Sequence, residues 1–220
     1  MTTARYDGIA DWYDEFNAPA AARNAAELVA LLGPGGGRCL DLGCGTGQYA
    51  EAIRATGRTP IGLDFSADQL RLAVRRNRAS VRADGAALPF ADGAFPTVVQ
   101  MWISTDVEDF RAVLRETHRV LSPDGLLLFF GVHPCFNGPC VEPLPDGGVT
   151  VHPNYRRAGR HEAAPWWREN GIRRRAGMRH LPLPDLLNAF IDADLSIDRV
   201  AEPSEHPVPF SLAVRARRHR

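Results

Sequence analysis

The sequence predicts an α/β fold in which parallel strands alternate with helices, and three observations support it. Residues 38–42 and 59–63 are short apolar runs, each followed by a helical segment, which is the pattern of parallel strands joined by crossover helices. Glycines at alternate positions over 43–47 allow a tight turn between the first strand and its helix. Residues 126–132 are nearly all apolar, as expected of a strand buried on both faces.

The elements before this last strand follow from local signals. Residues 20–32 are rich in alanine and leucine and end at a glycine-rich joint, so residues 1–37 are predicted to form an N-terminal helical cap. Capping-box patterns at 66–69 and 105–108 predict two helix starts, with the second helix running to residue 121. A Ser-Pro-Asp-Gly turn then leads into the fifth strand of the core, which spans 38–132.

The remainder of the chain divides into two parts. Residues 133–180 are rich in proline, glycine, histidine, arginine and tryptophan and lack clean periodicity, which predicts an inserted lid or substrate segment. Residues 181–220 are predicted to hold a helix over 183–193 and two final strands over 195–201 and 208–216.

Composition limits the classes of protein that remain. A chain of 220 residues with 45% hydrophobic and 24% charged residues predicts one domain with one buried core. The 26 arginines are balanced by 26 acidic residues, so the net charge favours neither nucleic acid nor an anionic membrane as a partner. The sequence shows no apolar leader and no long apolar stretch, so we expect a cytoplasmic protein with reduced cysteines.

The glycine-rich turn is typical of a nucleotide-type cofactor pocket, and its details distinguish two ligands. A dinucleotide fingerprint has its third glycine one residue later, at the position of Gln48, and receives an anionic pyrophosphate. Here Asp41 adds a carboxylate that would repel pyrophosphate but suits a ligand with an ammonium and a sulfonium. The pattern therefore favours S-adenosylmethionine. A dinucleotide-dependent oxidoreductase and a catalytically silent cofactor-binding module remain as alternatives.

Four motifs in order resemble class I S-adenosylmethionine-dependent methyltransferases of the type 11, small-molecule branch: residues 41–47, 62–66, 83–90 and 119–125. The resemblance implies a Rossmann-like, seven-stranded sheet with an antiparallel final strand, flanked by helices. It also implies S-adenosyl-L-methionine as the cofactor and S-adenosyl-L-homocysteine as the product.

The resemblance also assigns cofactor contacts. Asp64 would accept hydrogen bonds from the ribose hydroxyls, Asp84 would accept from the adenine amine, and Trp102 would lie against the sulfonium. Helix capping by Gln69 and core packing of Phe65 and Trp102 are the alternative roles. The full predicted set is Tyr13, Asp41, Gly43, Gly45, Gly47, Asp64, Phe65, Gln69, Asp84, Gly85, Ala86, Met101 and Trp102.

Acceptor and proton-transfer residues are expected after the fourth and fifth strands, whose ends face the ligand. His133 is the first candidate for a general base and Asp106 the second, although each could serve a structural bond instead. The predicted acceptor contacts are Tyr6, Tyr155, Trp166, Trp167 and His180. The predicted reaction is methyl transfer to an oxygen or nitrogen of a small organic molecule, such as a specialised metabolite, without a metal.

Overall fold

The computed structural model describes residues 4–203 and 206–219, so residues 1–3 of the predicted cap and residues 204, 205 and 220 of the predicted C-terminal part lie outside the described residues. Its strands, in chain order, are β1 (Arg38–Leu42), β2 (Thr59–Asp64), β3 (Ser80–Arg82), β4 (Phe95–Met101), β5 (Leu121–Val132), β6 (Val141–Pro143), β7 (Val149–Val151), β8 (Gly159–His161), β9 (Met178–His180), β10 (Leu195–Ala201) and β11 (Ser211–Arg218). The helices are α1 (Ala10–Leu32), α2 (Ala50–Ala55), α3 (Ala67–Ala73), α4 (Phe110–Val120), α5 (Ile172–Ala176) and α6 (Leu183–Ile191).

Seven of these strands form the main sheet, in the order β10-β11-β5-β4-β1-β2-β3. Strands β1 to β5 pair in parallel, whereas β11 runs antiparallel to both β5 and β10. The predicted seven-stranded sheet with an antiparallel final strand is therefore confirmed. Because β1 lies between β4 and β2, the chain leaves β1 at the point where the strand order reverses, which is where ligands bind in such sheets.

Alternating side chains along the central strands build two buried layers. On one face, Phe129 packs with Phe110 of α4 and Phe190 of α6. On the other face, Phe130 lies in a cluster with Leu28 of α1 and with residues of α2. The two layers hold the sheet rigidly, so the loops that leave its carboxyl edge have fixed starting points.

The helices differ from the prediction at one start. Helix α1 begins at Ala10, inside the predicted helical cap and ahead of its alanine- and leucine-rich part, and it continues through Pro19 with its buried face packed on the core. The capping box at 105–108 does not start a helix. Instead, α4 begins at Phe110, where the Asp109 carboxylate accepts from the Ala112 N–H at 2.9 Å. The capping box at 66–69 is confirmed, since Ser66 Oγ accepts from the Gln69 N–H.

The predicted turn at 122–125 lies inside strand β5 as a local bulge. Phe95 of β4 pairs with Leu121 and Thr97 pairs with Leu126, so the intervening residues leave the ladder, and Asp124 has φ +61°. The final strand spans 211–218 rather than 208–216.

Residues 133–180 contain two small antiparallel ladders, β6 with β7 and β8 with β9, together with helix α5. Within the described residues, none of the helices has both the length and the apolar content needed to cross a membrane.

Candidate functional site

A cavity of about 830 Å³ opens at the carboxyl edge of the main sheet. Its floor contains the ends of β1, β2, β4 and β5, and α1 lines it from the other side. A cavity of this size at the reversal point of a parallel sheet is the usual place for a cofactor or substrate.

The turn after β1 brings main-chain atoms to the cavity. Gly43, Gly45 and Gly47 all have positive φ values, of 75°, 54° and 77°. The N–H groups of Gly43 and Cys44 donate to the Leu63 carbonyl at 2.8 and 2.9 Å, which locks the turn against β2. Gly43 and Gly45 line the cavity, whereas Gly47 lies outside the lining, where an added Cβ would contact Ala73.

Asp64, at the end of β2, joins this turn to the next helix. One carboxylate oxygen accepts from the Gly45 N–H at 2.9 Å and the other accepts from the Ser66 N–H at 2.8 Å. Burial raises the pKa of Asp64, and the bonds from the two N–H groups act in the opposite direction. The carboxylate lines the cavity, where its remaining lone pairs can accept from ligand hydroxyls.

Two buried polar groups beside the turn have no hydrogen-bond partner among the described residues. Both side-chain oxygens of Asp41 and both amide atoms of Gln69 are in this state. Burial, with a contribution from the Asp64 charge, raises the pKa of Asp41 from 3.8 to about 7. Gln69 lines the cavity, whereas Asp41 is 1% exposed and lies behind the lining. Unpaired polar atoms at such a depth favour a polar ligand in the cavity.

The loops after β2 and β3 form the next part of the wall. Phe65 is 40% exposed, so a flat face is available to a ligand in the cavity. Asp84 accepts from the Ala86 N–H at 2.9 Å, which orders the turn, and Gly85 completes this part of the lining.

Met101 and Trp102, at the end of β4, line the centre of the cavity. Trp102 has φ +68°, which is unusual for a residue with a bulky side chain and is typical of functional sites. Its indole N–H donates to Tyr49 Oη at 3.0 Å, and its ring contacts Phe130 edge to face. These contacts fix the orientation of the ring.

A second polar cluster, which we call the Arg173 cluster, consists of Tyr6, Thr105, Asp106 and Arg173. Tyr6, Asp106 and Arg173 line the cavity, and Thr105 is buried behind them. Asp106 accepts from Tyr6 Oη at 3.1 Å, from Thr105 Oγ1 at 2.9 Å and from Arg173 Nη1 at 3.4 Å. Burial raises the pKa of Tyr6 well above its ordinary value, so this phenol stays neutral and donates. Tyr13 lies beside Tyr6, and burial raises its pKa in the same way.

His133 does not lie on the cavity. Its ring stacks on Phe136, its Nδ1 accepts from the Cys135 N–H at 3.1 Å, and its Nε2 lies 2.9 Å from a Glu202 carboxylate oxygen. One neutral tautomer satisfies both bonds, and burial lowers the pKa of His133 in favour of that neutral form. The ring therefore has a structural environment, and the structure does not place the first base candidate where a ligand would bind.

Four of the five predicted acceptor contacts also lie away from the cavity lining. Tyr155 Oη accepts from the Leu183 N–H at 2.8 Å, and His180 Nε2 donates to the Tyr155 carbonyl at 2.7 Å. Trp166 stacks on His152 with ring centroids 4.4 Å apart, and Trp167 is also outside the lining. These contacts hold the 133–180 segment together, and only Tyr6 of the predicted five faces the cavity.

Several lining residues were missed by the sequence analysis. None belongs to a recognisable motif, because their neighbours in the cavity are distant in the chain: Asn17, Asn24, Asn137, Ile172, Arg173, His206 and Phe210. Across residues 4–203 and 206–219, no three histidine, cysteine, aspartate or glutamate side chains come together as a metal site.

The fold and the position of the cavity match those of class I S-adenosylmethionine-dependent methyltransferases, which the motifs of the sequence resemble. Residues 40–129 match the family model described as a methyltransferase domain. The chain is also similar to the crystal structure of an S-adenosylmethionine dependent methyltransferase from Mesorhizobium loti, with 26% identity and a TM-score of 0.71 over 96% of this chain and 99% of that one. The name of that structure agrees with the predicted cofactor, S-adenosylmethionine.

The curated relatives are more specific in name but match less of the chain. A demethylmenaquinone methyltransferase from Mycobacterium marinum is 33% identical over 129 residues, which is 56% of this chain and 55% of that protein. Another from Thermus thermophilus is 37% identical over 114 residues, which is 48% of this chain and 51% of that protein. The chain thus spans about half the length of the curated relatives it matches.

Proposed function

We propose that the chain transfers the methyl group of S-adenosylmethionine to an oxygen or nitrogen atom of a small organic molecule. The observation that carries the proposal is the presence of two chemically different sites in one cavity. The glycine turn with Asp64 and Asp84 suits the adenosyl part of the cofactor, and the Arg173 cluster offers polar contacts to a second molecule. Tyr13 lies within electrostatic reach of both Asp64 and Asp106, so the two sites are close neighbours.

The residues of the first site fit the cofactor by their chemistry. Asp64 offers acceptor lone pairs to the ribose hydroxyls, Asp84 offers them to the adenine amine, and Phe65 offers a flat apolar face. The unpaired carboxylate of Asp41, together with the buried Gln69 amide, favours a ligand that carries a cationic end. When bound, the cofactor supplies a methyl carbon that is already activated for displacement.

The residues of the second site would orient the acceptor rather than activate it strongly. Tyr6 and Tyr13 remain protonated, so they act as hydrogen-bond donors. Asp106 faces the cavity and stays the proposed acid–base residue, but it already accepts three hydrogen bonds, one of them from a cation. An acceptor of low pKa, which ionises without a strong base, suits this arrangement best.

The acceptor is proposed to be flat and partly apolar. Val107, Val113, Ile172 and Phe210 contribute apolar surface to the cavity wall. The names of the curated relatives refer to a quinone, which has the same flat shape, and a specialised metabolite with a phenol or an amine would also fit. We further propose that residues 133–180 serve as the substrate segment, because α5 contributes Ile172 and Arg173 to the wall.

Ligand binding followed by turnover tests the proposal. Thermal unfolding and calorimetry should show stabilisation by S-adenosylhomocysteine but not by NADH, and the Asp64→Ala variant should lose most of this stabilisation. Methyl-labelled S-adenosylmethionine should then label at least one member of a panel of phenols, acids, amines and quinols.

Three outcomes separate the candidate functions. Binding of S-adenosylhomocysteine with labelling supports the proposal. Stabilisation by NADH and not by S-adenosylhomocysteine would favour the dinucleotide alternative. Tight binding of S-adenosylhomocysteine with no labelled product across the panel would favour a module that binds the cofactor without catalysis.

A further inference from the structure

Arg173 has an unusual position for an arginine of a short surface helix. It belongs to α5, in a run of three arginines, yet its side chain is 19% exposed and lines the cavity. Its neighbour Arg174 is 43% exposed and pairs with Glu169, outside the cavity. The backbone of α5 therefore directs one charge of the run towards the ligand.

The hydrogen bonds of Arg173 leave most of its donors available. A guanidinium has five N–H donors in one plane. Among the described residues, its hydrogen-bond partner is Asp106, through one nitrogen at 3.4 Å, a long and weak contact. Since Arg173 lines the cavity, the remaining donors are accessible to a bound molecule.

Asp106 is held in place by other groups, so it does not need Arg173 as its main partner. Tyr6 donates to one of its oxygens and Thr105 donates to the other, at 3.1 and 2.9 Å. Asp106 thereby fixes one edge of the guanidinium while the rest faces the cavity. In this arrangement Asp106, the acid–base residue proposed above, also positions Arg173.

Several other donors that line the cavity are already engaged. The phenol of Tyr6 is neutral and already donates to Asp106, and the amide of Asn137 donates to the Phe210 carbonyl at 3.2 Å. Arg5, another lining cation, pairs with Glu108 and Glu162 at 3.5 Å each. A ligand that matches Arg173 must supply acceptor oxygens, and a carboxylate matches the planar, forked guanidinium best.

We propose that Arg173 determines acceptor specificity by binding the carboxylate of a small organic acid. This inference rests on the proposed methyl transfer and names its substrate class. A carboxylate substrate is already ionised, so no proton has to be removed from it before methyl transfer. This substrate class therefore suits a cavity in which the described residues include no strong base. A neutral quinol would leave the donors of Arg173 unmatched.

Binding of matched acid and amide pairs tests the proposal. The probes are benzoate, 2-naphthoate and indole-3-carboxylate, each compared with its carboxamide, on full-length protein saturated with S-adenosylhomocysteine. The proteins are the wild type, Arg173→Gln, Arg173→Lys and, as a matched control on the same helix, Arg174→Gln. Calorimetry gives the dissociation constant of each probe and, separately, of S-adenosylhomocysteine.

We expect the wild type and Arg174→Gln to bind at least one acid about 10- to 100-fold more tightly than its amide. Arg173→Gln should lose this preference. Arg173→Lys should retain part of it, because lysine keeps the positive charge but lacks the two parallel N–H donors of the guanidinium. The affinity for S-adenosylhomocysteine should change less than about threefold in all variants.

Three results would overturn the inference. The first is an absence of acid preference in the wild type, and the second is a preference that survives in Arg173→Gln. The third is a loss of S-adenosylhomocysteine affinity of tenfold or more in Arg173→Gln, which would assign the guanidinium to the cofactor's own carboxylate. Wild-type protein that fails to bind S-adenosylhomocysteine would refute the proposed function itself, whereas tight binding without acid preference would refute only the role of Arg173.

Discussion

The buried carboxylate of Asp41 gives a quantitative prediction about stability. Its two oxygens have no partner among the described residues, and burial raises its pKa from 3.8 to about 7. In the unfolded chain the group loses its proton near pH 4, whereas in the folded protein it keeps the proton until about pH 7. The folded state therefore binds more protons across this window, and stability should fall as the pH rises from 4 to 7.

The size of the effect follows from the separation of the two pKa values. One pKa unit is worth about 1.4 kcal/mol, so the ionised Asp41 should destabilise the cofactor-free protein by about 4 kcal/mol above pH 7. Asp41→Asn removes the charge and keeps the shape. Any cost of burying the amide is independent of pH. The informative quantity is therefore how the difference in the free energy of unfolding between variant and wild type changes with pH.

Urea unfolding and thermal unfolding of the cofactor-free proteins between pH 4.5 and 8.5 provide the measurement. Relative to wild type, Asp41→Asn should gain about 3 kcal/mol as the pH rises from 4.5 to 8.5, or roughly 6–12 °C in Tm for a domain of this size. Asp185→Asn, which alters an exposed carboxylate at the start of α6, serves as the control and should change by less than about 1 kcal/mol. A difference between Asp41→Asn and wild type that stays constant over this range would refute the assignment of a buried, charge-penalised carboxylate.

Two further predictions concern the cofactor and the base. Asp64→Ala should weaken S-adenosylhomocysteine binding about tenfold or more by calorimetry, because Asp64 both faces the ligand and bonds the Gly45 N–H, whereas Asp106→Ala should change it less than about threefold. Equal losses in the two variants would contradict the ribose assignment. His133→Gln should leave the pH profile of kcat for any acceptor found by labelling unchanged, since the ring nitrogens already bond Cys135 and Glu202. Loss of a limb of that profile would restore His133 as the general base.

The cofactor-binding half of the site could be predicted because its requirements are local. Positive φ values at Gly43 and Gly45 favour glycine, and the parallel pairing of β1 with β2 brings the carboxylate of Asp64 beside the turn that follows β1. The strands were predictable for a similar reason, since a strand covered on both faces needs a continuous apolar run. These constraints act over a few residues and therefore leave a pattern in the sequence.

The wrong helix start at 105–108 shows where local signals fail. Thr105 and Asp109 are both suitable capping residues, and the sequence does not rank them. In the folded chain Thr105 donates to Asp106, which also accepts from Tyr6 of the N-terminal segment, and Asp109 caps the helix. Thr105 thus takes part in a network that includes a contact between residues 100 positions apart, which local sequence signals do not reveal.

The sequence by itself determined the class of fold, the glycine turn, the acidic residue after β2 and the identity of the cofactor. Tertiary structure alone decided that Arg173 faces the cavity beside Asp106 while His133 and His180 turn into structural hydrogen bonds. The physical reason is the range of the interactions. Turn geometry and strand burial are fixed by neighbouring residues, whereas the direction of a side chain in a long irregular segment depends on packing against elements far away in the chain.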